Sequence, residues 1–342
     1  MSLISLLKRK YKTLCFTTPS HGQKFFIFHK FRQFYKYDIS ETDTHKPHEA
    51  LLKAQQRAAK IYGVKYTKFL TNGSTSGIIA AVLACTKPGD KVLIWDNAHP
   101  SHLNAVKLAG CEPVFYKVEE IEEWGIYASL RANTVSEAIS QYEIASSATP
   151  PRNDVTAVIV TSPTYEGIVS DIRSIKKACG KAYLIVDEAH GALYPFSDKL
   201  PESAIKIADF TVHSLHKTAG GLNPTALLHS NCEIDPQAAL DMINTTSPSY
   251  PLLASIEANI NFLNSQRGGK YIEEIIETLK QVQGDIRVND DPLKILVKVP
   301  SEKLFAAGIE DEKSNEKSTL LLCGIGTNPK KLERLKKVLK KM

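Results

Sequence analysis

Residues 182–191 read AYLIVDEAHG, an apolar run that stops at two acids and is followed by a histidine. Four other short apolar runs also lead into small or polar residues: KFL at 68–70, KVLIW at 91–95, AVIVT at 157–161 and DFTV at 209–212. Helical stretches separate the runs, a pattern typical of a parallel sheet covered on both faces. The sequence therefore predicts an α/β fold with a mainly parallel sheet and a ligand site at the carboxyl ends of its strands.

Composition changes along the chain predict three parts. Residues 1–45 are aromatic and basic without clear periodicity and are expected to form an N-terminal arm with a short helix. Residues 46–245 hold the apolar runs and form the predicted large domain. Residues 246–342 contain a helix to about Leu263, a break at QRGG, an amphipathic helix, two strands around the polar loop DEKSNEK, and a basic last helix. This order predicts a small α+β C-terminal domain.

Length and composition are those of a globular protein. The 342 residues are 43% hydrophobic and 23% charged, enough for a sizeable core. Much of the net charge of +6 lies in NPKKLERLKKVLKK, whose apolar residues recur at helical spacing. We interpret this stretch as a helix packed on the protein, with no nucleic-acid or membrane partner. Scattered cysteines without a CxxC pair, and no segment suited to a signal peptide or membrane span, predict a cytoplasmic protein.

The stretch TNGSTSG at 71–77 follows a strand and opens a helix predicted to begin near Thr75. Backbone N–H groups and the hydroxyls of Ser74, Thr75 and Ser76 would converge there, as they do in a phosphate site at a helix N-terminus. A serine-capped helix after a glycine turn is the alternative. The spacings GxGxxG and GxxxxGK[ST] are absent, so neither a dinucleotide nor a nucleoside triphosphate is the expected ligand.

Two charged side chains follow neighbouring runs. Asp187 ends AYLIV, where a carboxylate with apolar surroundings needs a cationic partner; a helix cap or a salt bridge is the alternative. Lys217 stands 30 residues later in HSLHKTAGGL, and one crossover helix would bring the two strand ends side by side. A lysine in this setting can form a Schiff base with a carbonyl, whereas the alternative is a surface lysine in a turn.

Histidines cluster on the same strand ends. They are His99, His102, His190, His213 and His216. The pairs in HPSH and HSLH are three residues apart, but on turns this spacing does not align two metal ligands as it would on a helix, so we predict no metal site. His99 and His216 are favoured as site residues because of their neighbours.

A phosphate cradle, a buried aspartate and a nucleophilic lysine, in this chain order on a parallel sheet, together indicate pyridoxal 5'-phosphate (PLP). The cradle would anchor the phosphate, Asp187 would pair with the protonated pyridine nitrogen, and Lys217 would hold the aldehyde. The combination is far more specific than any of its parts.

Six motifs resemble one known family. TNGSTSGI, PGDKVLIWDNAHPSH, TSPTYEGIVSDI, VDEAHGA, HSLHKT and TSPSYPLLAS occur in this order and resemble the bacterial ornithine/lysine/arginine decarboxylases of the aspartate-aminotransferase fold, fold type I. The resemblance runs from about Asp38 to about Ile260. TTPSHGQ is similar to the family's PGHK-type opening, and the C-terminal third is much shorter than in the large inducible members.

The resemblance implies roles for single residues. Lys217 would bind the cofactor, Asp187 would pair with its ring nitrogen and His99 would stack on its ring. Further residues would hold the phosphate, flank the lysine or lie beneath the cofactor: Ser74, Thr75, Ala189, Ser214 and His216. Thr246 resembles a residue that reaches the partner's phosphate, because folds of this type build their active sites at the interface of a homodimer.

The implied reaction is decarboxylation of arginine, lysine or ornithine to agmatine, cadaverine or putrescine and CO2, within polyamine metabolism. Lys217 or His216 would return a proton to Cα. The far end of a basic substrate requires an acidic group, and the candidates are Glu41, Asp43 and Glu166. The sequence does not choose among the three substrates.

Two alternatives stay open. The first is an aminotransferase or another lyase of the same fold. Typical aminotransferases fix the α-carboxylate with an arginine of the C-terminal lobe, where only Arg267, Arg287 and Arg334 occur, none in a motif for that role, which favours decarboxylation. The second is a shortened relative that binds cofactor, or a catalytically silent partner subunit.

Overall fold

The structure, a computed structural model, describes residues 2–11, 36–39, 49–144, 155–283 and 288–342. The α-helices described are α1 Leu3–Tyr11, α2 Glu49–Tyr62, α3 Gly73–Cys85, α4 Pro100–Leu108, α5 Ala132–Ile144, α6 Ile172–Ala178, α7 Gln237–Asp241, α8 Tyr250–Leu263, α9 Gln266–Gln283, α10 Ser301–Ala306 and α11 Pro329–Leu339. The strands are β1 Tyr66–Leu70, β2 Lys91–Trp95, β3 Glu112–Tyr116, β4 Glu120–Ile121, β5 Ile126–Tyr127, β6 Val155–Thr161, β7 Tyr183–Asp187, β8 Phe210–Ser214, β9 Ala226–Ser230, β10 Lys294–Val297, β11 Lys313–Ser314 and β12 Thr319–Leu322.

A seven-stranded sheet with the order β1-β9-β8-β7-β6-β2-β3 forms the centre of the fold. The pairs β2–β3, β2–β6, β6–β7 and β7–β8 are parallel, whereas β9 runs antiparallel to both β8 and β1. Strand β1 therefore runs in the same direction as β8. As a result, the carboxyl ends of β1, β2, β6, β7 and β8 all lie at one edge, and the predicted α/β fold of the aspartate-aminotransferase type is confirmed.

Both faces of this sheet are buried, which explains why its strands are continuously apolar. Val92 and Ile94 pack with residues of α3 and α4 in one core, while Leu93 between them joins Val135 of α5 and Ile175 of α6 in another. Successive side chains of a strand point to opposite faces, so a strand covered on both sides is apolar at most positions. The polar side chains that it does bury, such as His213 and His229, have hydrogen-bond partners.

A smaller antiparallel sheet, with the order β10-β12-β11, holds the chain after α9. Its Leu321 belongs to a third core together with Leu3 of α1 and Leu253 of α8. The amide of Leu3 also donates a 2.7 Å hydrogen bond to Glu257 Oε2, which fixes the N-terminal helix on α8. None of the described helices combines the length and apolarity that crossing a bilayer requires.

Two parts of the large sheet differ from expectation. Strand β9 was not predicted, although it is wholly buried; a short connection through residues 215–225 joins it to β8, and such connections make antiparallel neighbours. The crossover between β7 and β8 contains 3₁₀ turns at Tyr194–Phe196 and Ala204–Lys206 where an α-helix was expected. The two strands are nevertheless parallel neighbours, as the predicted proximity of Asp187 and Lys217 requires.

Two details of the C-terminal part also differ. The QRGG stretch is the first turn of α9, not a break after α8. A side chain at Gly268 would overlap the backbone of Phe262, so the glycine permits the tight corner between the two helices. The polar loop DEKSNEK contains the short strand β11.

Candidate active site

A cavity of about 410 Å³ lies at the carboxyl edge of the large sheet. Loops that follow β1, β2, β6, β7 and β8 supply its walls, together with residues beside β11. Of the residues predicted for the site, those that line this cavity are Ser74, His99, Glu166, Asp187, Ala189 and Lys217. The structure thus brings together residues 143 positions apart in the chain, from Ser74 to Lys217.

Four other predicted residues do not line this cavity, although all four are described: Thr75, Ser214, His216 and Thr246. Ser214 is completely buried at the end of β8, and Thr246 is exposed. His216 is oriented by the carbonyl of Thr225, 3.1 Å from its Nδ1. Glu41 and Asp43 lie outside the described residues.

The helix N-terminus after β1 is placed as expected, but its hydroxyls do not converge. Helix α3 begins at Gly73, two residues earlier than predicted, and the amide of Gly73 donates to the carbonyl of Pro224 at 2.8 Å. Ser74 faces the cavity, Thr75 faces solvent, and the hydroxyl of Ser76 donates to the carbonyl of Gly73. Successive residues on a helix diverge by about 100°, so three in a row cannot face one point.

Both carboxylate oxygens of Asp187 have a partner. Nε2 of His102 lies 3.0 Å from Oδ2, and the amide of Ala189 donates to Oδ1 at 3.1 Å. Burial raises the pKa of Asp187, but His102, the charge of Lys217 and the Ala189 amide outweigh it, so the pKa lies below its ordinary value. The site therefore presents an ionised carboxylate from the end of β7.

The amine of Lys217 lies 3.0 Å from Nε2 of His190. Burial lowers the pKa of Lys217, and the charges of Asp187 and Glu312 only partly oppose this. A lysine with a depressed pKa carries a larger fraction of the neutral, nucleophilic amine. Its position in the cavity, together with the depressed pKa, makes Lys217 the candidate nucleophile.

A single wide turn, Leu215–Ala219, carries Lys217 from the end of β8 into the cavity. It closes at Gly220, whose φ of +84° lies in the left-handed region that favours glycine. A side chain at Gly220 would overlap Ile325, and one at Gly221 would lie 2.8 Å from Cβ of Leu215. The two glycines therefore let the chain turn back toward β9.

Tyr165 forms an aromatic wall beside the lysine. Its ring centroid lies 4.8 Å from that of His190, 5.4 Å from Nζ of Lys217 and 5.0 Å from Nζ of Lys313. These distances are in the range of cation–π contacts. The ring thus separates two cationic side chains that enter the cavity from different parts of the fold.

Two glutamates face the cavity near Lys313. Glu166 is 7% exposed and forms a salt bridge with Lys313, in which Nζ of the lysine donates a 3.0 Å hydrogen bond to Oε1. Glu312 lines the same cavity, and its charge raises the pKa of Lys217. Because Lys313 balances the charge of Glu166, the carboxylate of Glu312 is an additional negative charge in the cavity lining.

The histidines are held by separate partners. His213 Nε2 lies 2.6 Å from Glu188 Oε2 on the far side of the strand end, and Nδ1 of His99 accepts from the amide of Ser101 at 3.2 Å. His99 thereby caps α4 at the cavity mouth. The two histidines of HPSH have different partners, and so do those of HSLH. His102 lies inside α4 and His213 inside β8, however, so the pairs are not on the turns that were expected.

Sequence reasoning missed His190, Tyr165, Glu312 and Lys313 as site residues. His190 was named among the histidines at the strand ends, but only His99 and His216 were favoured for the site, although His190 follows Asp187 by three positions. Tyr165 lies directly beside Glu166 in TSPTYEG, a motif already singled out. For the residues of DEKSNEK no signal existed, because only the tertiary fold carries this hairpin to the cavity.

A second cavity, of about 520 Å³, lies between β12 and α11. Its lining includes Leu321, Cys323 and Leu332, with Arg334 at its edge. Although it is larger, the lysine of depressed pKa and the ionised buried aspartate lie in the first cavity. We therefore assign the chemistry to the first.

Comparison with known proteins is consistent across sequence and structure. The profile of the family described as "Orn/Lys/Arg decarboxylase, major domain" matches residues 10–304. The chain is 30% identical over 314 residues to the uncharacterized protein YaaO of Bacillus subtilis, covering 83% of this chain and 63% of that protein. It is also 30% identical over 293 residues to the arginine decarboxylase of Bacillus subtilis, covering 78% and 58%.

A solved structure gives the same result for the fold. The constitutive lysine decarboxylase of Escherichia coli superposes with a TM-score of 0.86 at 20% identity, over 99% of this chain and 60% of that chain. The chain spans between 55% and 63% of the length of the first three curated relatives.

Proposed function

Because the chain belongs to the ornithine/lysine/arginine decarboxylase family, we propose that it decarboxylates a basic amino acid with PLP bound at Lys217. The substrate would be arginine, lysine or ornithine, and the product the corresponding amine of polyamine metabolism. The observation that carries the proposal is the pairing, in one cavity, of a lysine with a depressed pKa and a buried, ionised aspartate.

The residues present fit PLP. Lys217 offers an amine for its aldehyde, Asp187 a charge for its ring nitrogen, and the first turn of α3 at Ser74 its free N–H groups for the phosphate. Ala189 and His99 line the same cavity, where a small side chain and an imidazole would contact the cofactor ring. When bound, PLP supplies an electron sink for the pair of electrons released as the bond between Cα and the carboxylate breaks.

Side chains of the protein would hold the charge opposite the ring nitrogen, return the proton to Cα and contact the phosphate. Asp187 is fixed at both oxygens and so keeps its charge in place. Lys217 lies in the cavity and is the better candidate to return a proton to Cα, since the ring of His216 is turned to Thr225 and does not line the cavity. Thr75, Ser214 and Thr246 would act around the phosphate or across a subunit interface.

The far end of a basic substrate would be read by carboxylates at the cavity mouth. Glu166 was the sequence candidate, but its charge is already matched by Lys313. Glu312 adds a negative charge close enough to act on Lys217, and we assign the main role to it. Glu41 and Asp43 stay candidates on the resemblance alone.

Assembly, domains and location belong to the proposal as well. A homodimer with shared active sites in the cytoplasm is supported by the family and by exposed apolar side chains at Leu222 and Met242, in segments that follow the lysine turn. The boundaries 1–45, 46–245 and 246–342 are proposed as arm, large domain and small domain. Sedimentation velocity of the purified chain tests the dimer, and a monomer at all concentrations contradicts it.

The direct test combines colour and gas release. Purified protein with PLP should develop the visible absorbance of the bound cofactor and release CO2 from one of L-arginine, L-lysine or L-ornithine. Lys217→Ala should abolish both, while Lys298→Ala, which removes an exposed lysine paired with Glu123, should change neither. A colourless parent protein would refute the cofactor assignment.

Other products would identify the alternatives. A coloured protein that forms a keto acid and no CO2 is an aminotransferase, for which Lys313 would be the cation of the small sheet facing the substrate. A coloured protein without any turnover is a silent partner subunit.

A further inference from the structure

The segment before β10 holds the turn that follows β6. Nδ2 of Asn289 donates to the carbonyl of Glu166 at 2.7 Å, and the amides of Asp290 and Asp291 both donate to the carbonyl of Gly167 at 3.0 Å. Backbone carbonyls of the turn after β6 thus accept hydrogen bonds from the segment that leads into the small sheet. The aromatic wall beside the lysine is carried on this turn and is positioned by it.

Behind this turn lies a completely buried ion pair. Nζ of Lys294 is 3.5 Å from Oδ2 of Asp291, and neither side chain is exposed. The pair packs on Gly167, where an added Cβ would lie 2.8 Å from Cγ of Lys294 and 3.0 Å from Cβ of Asp291. Desolvation makes such a pair a weak source of stability, so its presence calls for another role.

The turn on which this pair packs also carries Tyr165, whose ring centroid lies 4.8 Å from that of His190. His190 in turn lies 3.0 Å from the amine of Lys217. Burial is the largest cause of the low pKa of His190, and the positive charge of Lys294 comes next, ahead of Lys217, His216 and His99. The pKa of Lys294 is itself lowered by burial, and Asp291 opposes this. The pair therefore places a positive charge beside a histidine that has little access to water.

The hydrogen-bond pattern of His190 points the same way. Its Nδ1 is buried and has no hydrogen-bond partner among the residues the structure describes. If Lys217 were an ammonium donating to Nε2, the proton of His190 would sit on Nδ1 as a buried N–H without an acceptor. If Nε2 carries the proton and donates to a neutral Lys217, only a lone pair is left unpaired, and no charge is buried.

We propose that Lys294, held by Asp291, is a positioning residue that keeps His190 neutral with its proton on Nε2, so that Lys217 presents a free amine to an aldehyde. The electrostatic balance at Lys217 includes Asp187 and Glu312, whose charges favour the ammonium. Burial of Lys217 opposes them, and the positive charges of Lys217 and Lys294 repel each other. The inference rests on the proposed role of Lys217 as the cofactor-binding lysine.

The first test follows the imidazole of His190 in the cofactor-free protein by NMR, with histidine labelled at Cε1 and the signal assigned by its loss in His190→Gln. In the parent, His190 should stay neutral through the pH at which an ordinary histidine titrates, about 6.5. In Lys294→Met the midpoint should move up toward that value. Lys294→Arg, which restores a positive charge, should move it back.

Two further variants keep the result decisive. Lys298→Met makes the same change on the same segment at an exposed position and should leave the midpoint unaltered. Asp291→Asn/Lys294→Met removes both charges, so it avoids an unpaired buried carboxylate if the single variant does not fold. A folded variant without Lys294 whose His190 titrates as in the parent would overturn the proposal.

A second readout separates this inference from the proposed function. The rate at which PLP and borohydride label Lys217 in the cofactor-free chain should fall at neutral pH in Lys294→Met, and its pH midpoint should rise. If Lys217 is not labelled even in the parent, the proposed function fails, while the His190 titration still decides the role of Lys294. An unchanged labelling profile in a folded Lys294→Met contradicts the inference.

Discussion

His102 Nε2 lies 3.0 Å from Oδ2 of Asp187, and the ring of His102 is wholly buried. Through His102, helix α4 therefore fixes the carboxylate of Asp187, which lies at the end of β7 and faces the cavity. With the amide of Ala189 on the other oxygen, the carboxylate can neither rotate nor easily take up a proton.

Replacing His102 by leucine should weaken PLP binding, and more so at acid pH. Loss of the hydrogen bond removes a cause that lowers the pKa of Asp187, so the carboxylate protonates at higher pH and loses its pairing with the ring nitrogen. The loss of one charge-assisted hydrogen bond is about 1.5–3 kcal/mol. Titration of PLP by visible absorbance measures this, with His102→Gln as the control that keeps a donor. Equal affinities of the parent and leucine variants at every pH would contradict it.

Glu312→Gln should raise KM for the basic substrate far more than it changes kcat. Removing one partner of a charged hydrogen bond at the substrate's distal cation costs about 1.5–3 kcal/mol, or roughly 10- to 100-fold. Glu316→Gln, an exposed residue of the same hairpin, is the matched control. If Glu166→Gln raises KM and Glu312→Gln does not, then Glu166 binds the distal cation of the substrate and the assignment to Glu312 is wrong.

Gly77→Ala should destabilise the fold by about 1–3 kcal/mol through overpacking. A Cβ at this position of α3 would lie 2.8 Å from Cγ1 of Val212 and 2.9 Å from Cδ1 of Leu70, inside the main core. Gly269→Ala is the control, since no atom of the described residues lies within 4 Å of its added Cβ, and the change should stabilise α9 by about 0.4–1 kcal/mol. Thermal unfolding of both variants measures the difference, and equal melting temperatures would contradict the packing argument.

Acid should destabilise the protein through His229. Burial and the charge of His213 hold the pKa of His229 well below 6.5. As the pH falls below that value, the unfolded chain gains a proton that the native chain does not, so stability decreases by up to about 1.4 kcal/mol per pH unit. His190 adds to the effect with the same sign.

Urea unfolding between about pH 8 and pH 5.5 measures this slope. His229→Asn, whose amide can take the place of Nδ1 against the hydroxyl of Thr67, should lower stability at the upper pH and flatten the slope below it. A slope as steep as that of the parent would show that His229 is not a source of the acid sensitivity.

The sequence was sufficient for five of the seven strands described in the large sheet and for the position of Asp187 and Lys217 at its carboxyl edge. Asp187 and Lys217 could be predicted because each ends a buried strand, and the ends of parallel neighbours must meet. The expectation for Thr75 was weaker, because a run of hydroxyl residues says nothing about which of them a helix turns toward the cavity. His102 was discounted as one of many histidines, since only the packed helix α4 shows which carboxylate it meets.

Contacts between residues far apart in the chain could not be predicted from the sequence. Glu312 and Lys313 stand in a polar segment that would be solvent-exposed in almost any isolated hairpin. Lys294 stands two residues after Pro292 in a mixed stretch, and in the structure it is completely buried against Gly167, more than a hundred residues earlier. Such partners are fixed by how two sheets pack, which no local pattern encodes.

The clasp formed by Asn289, Asp290 and Asp291 has a consequence for biosynthesis. It supplies hydrogen bonds to Glu166 and Gly167, and Asn289 lies 123 positions after Glu166. While the ribosome is still making the later segment, the nascent large sheet has a pocket whose wall is not yet held. Stable uptake of a cofactor is therefore expected only after the small sheet has left the exit tunnel, so the chain's last part governs when the site becomes competent.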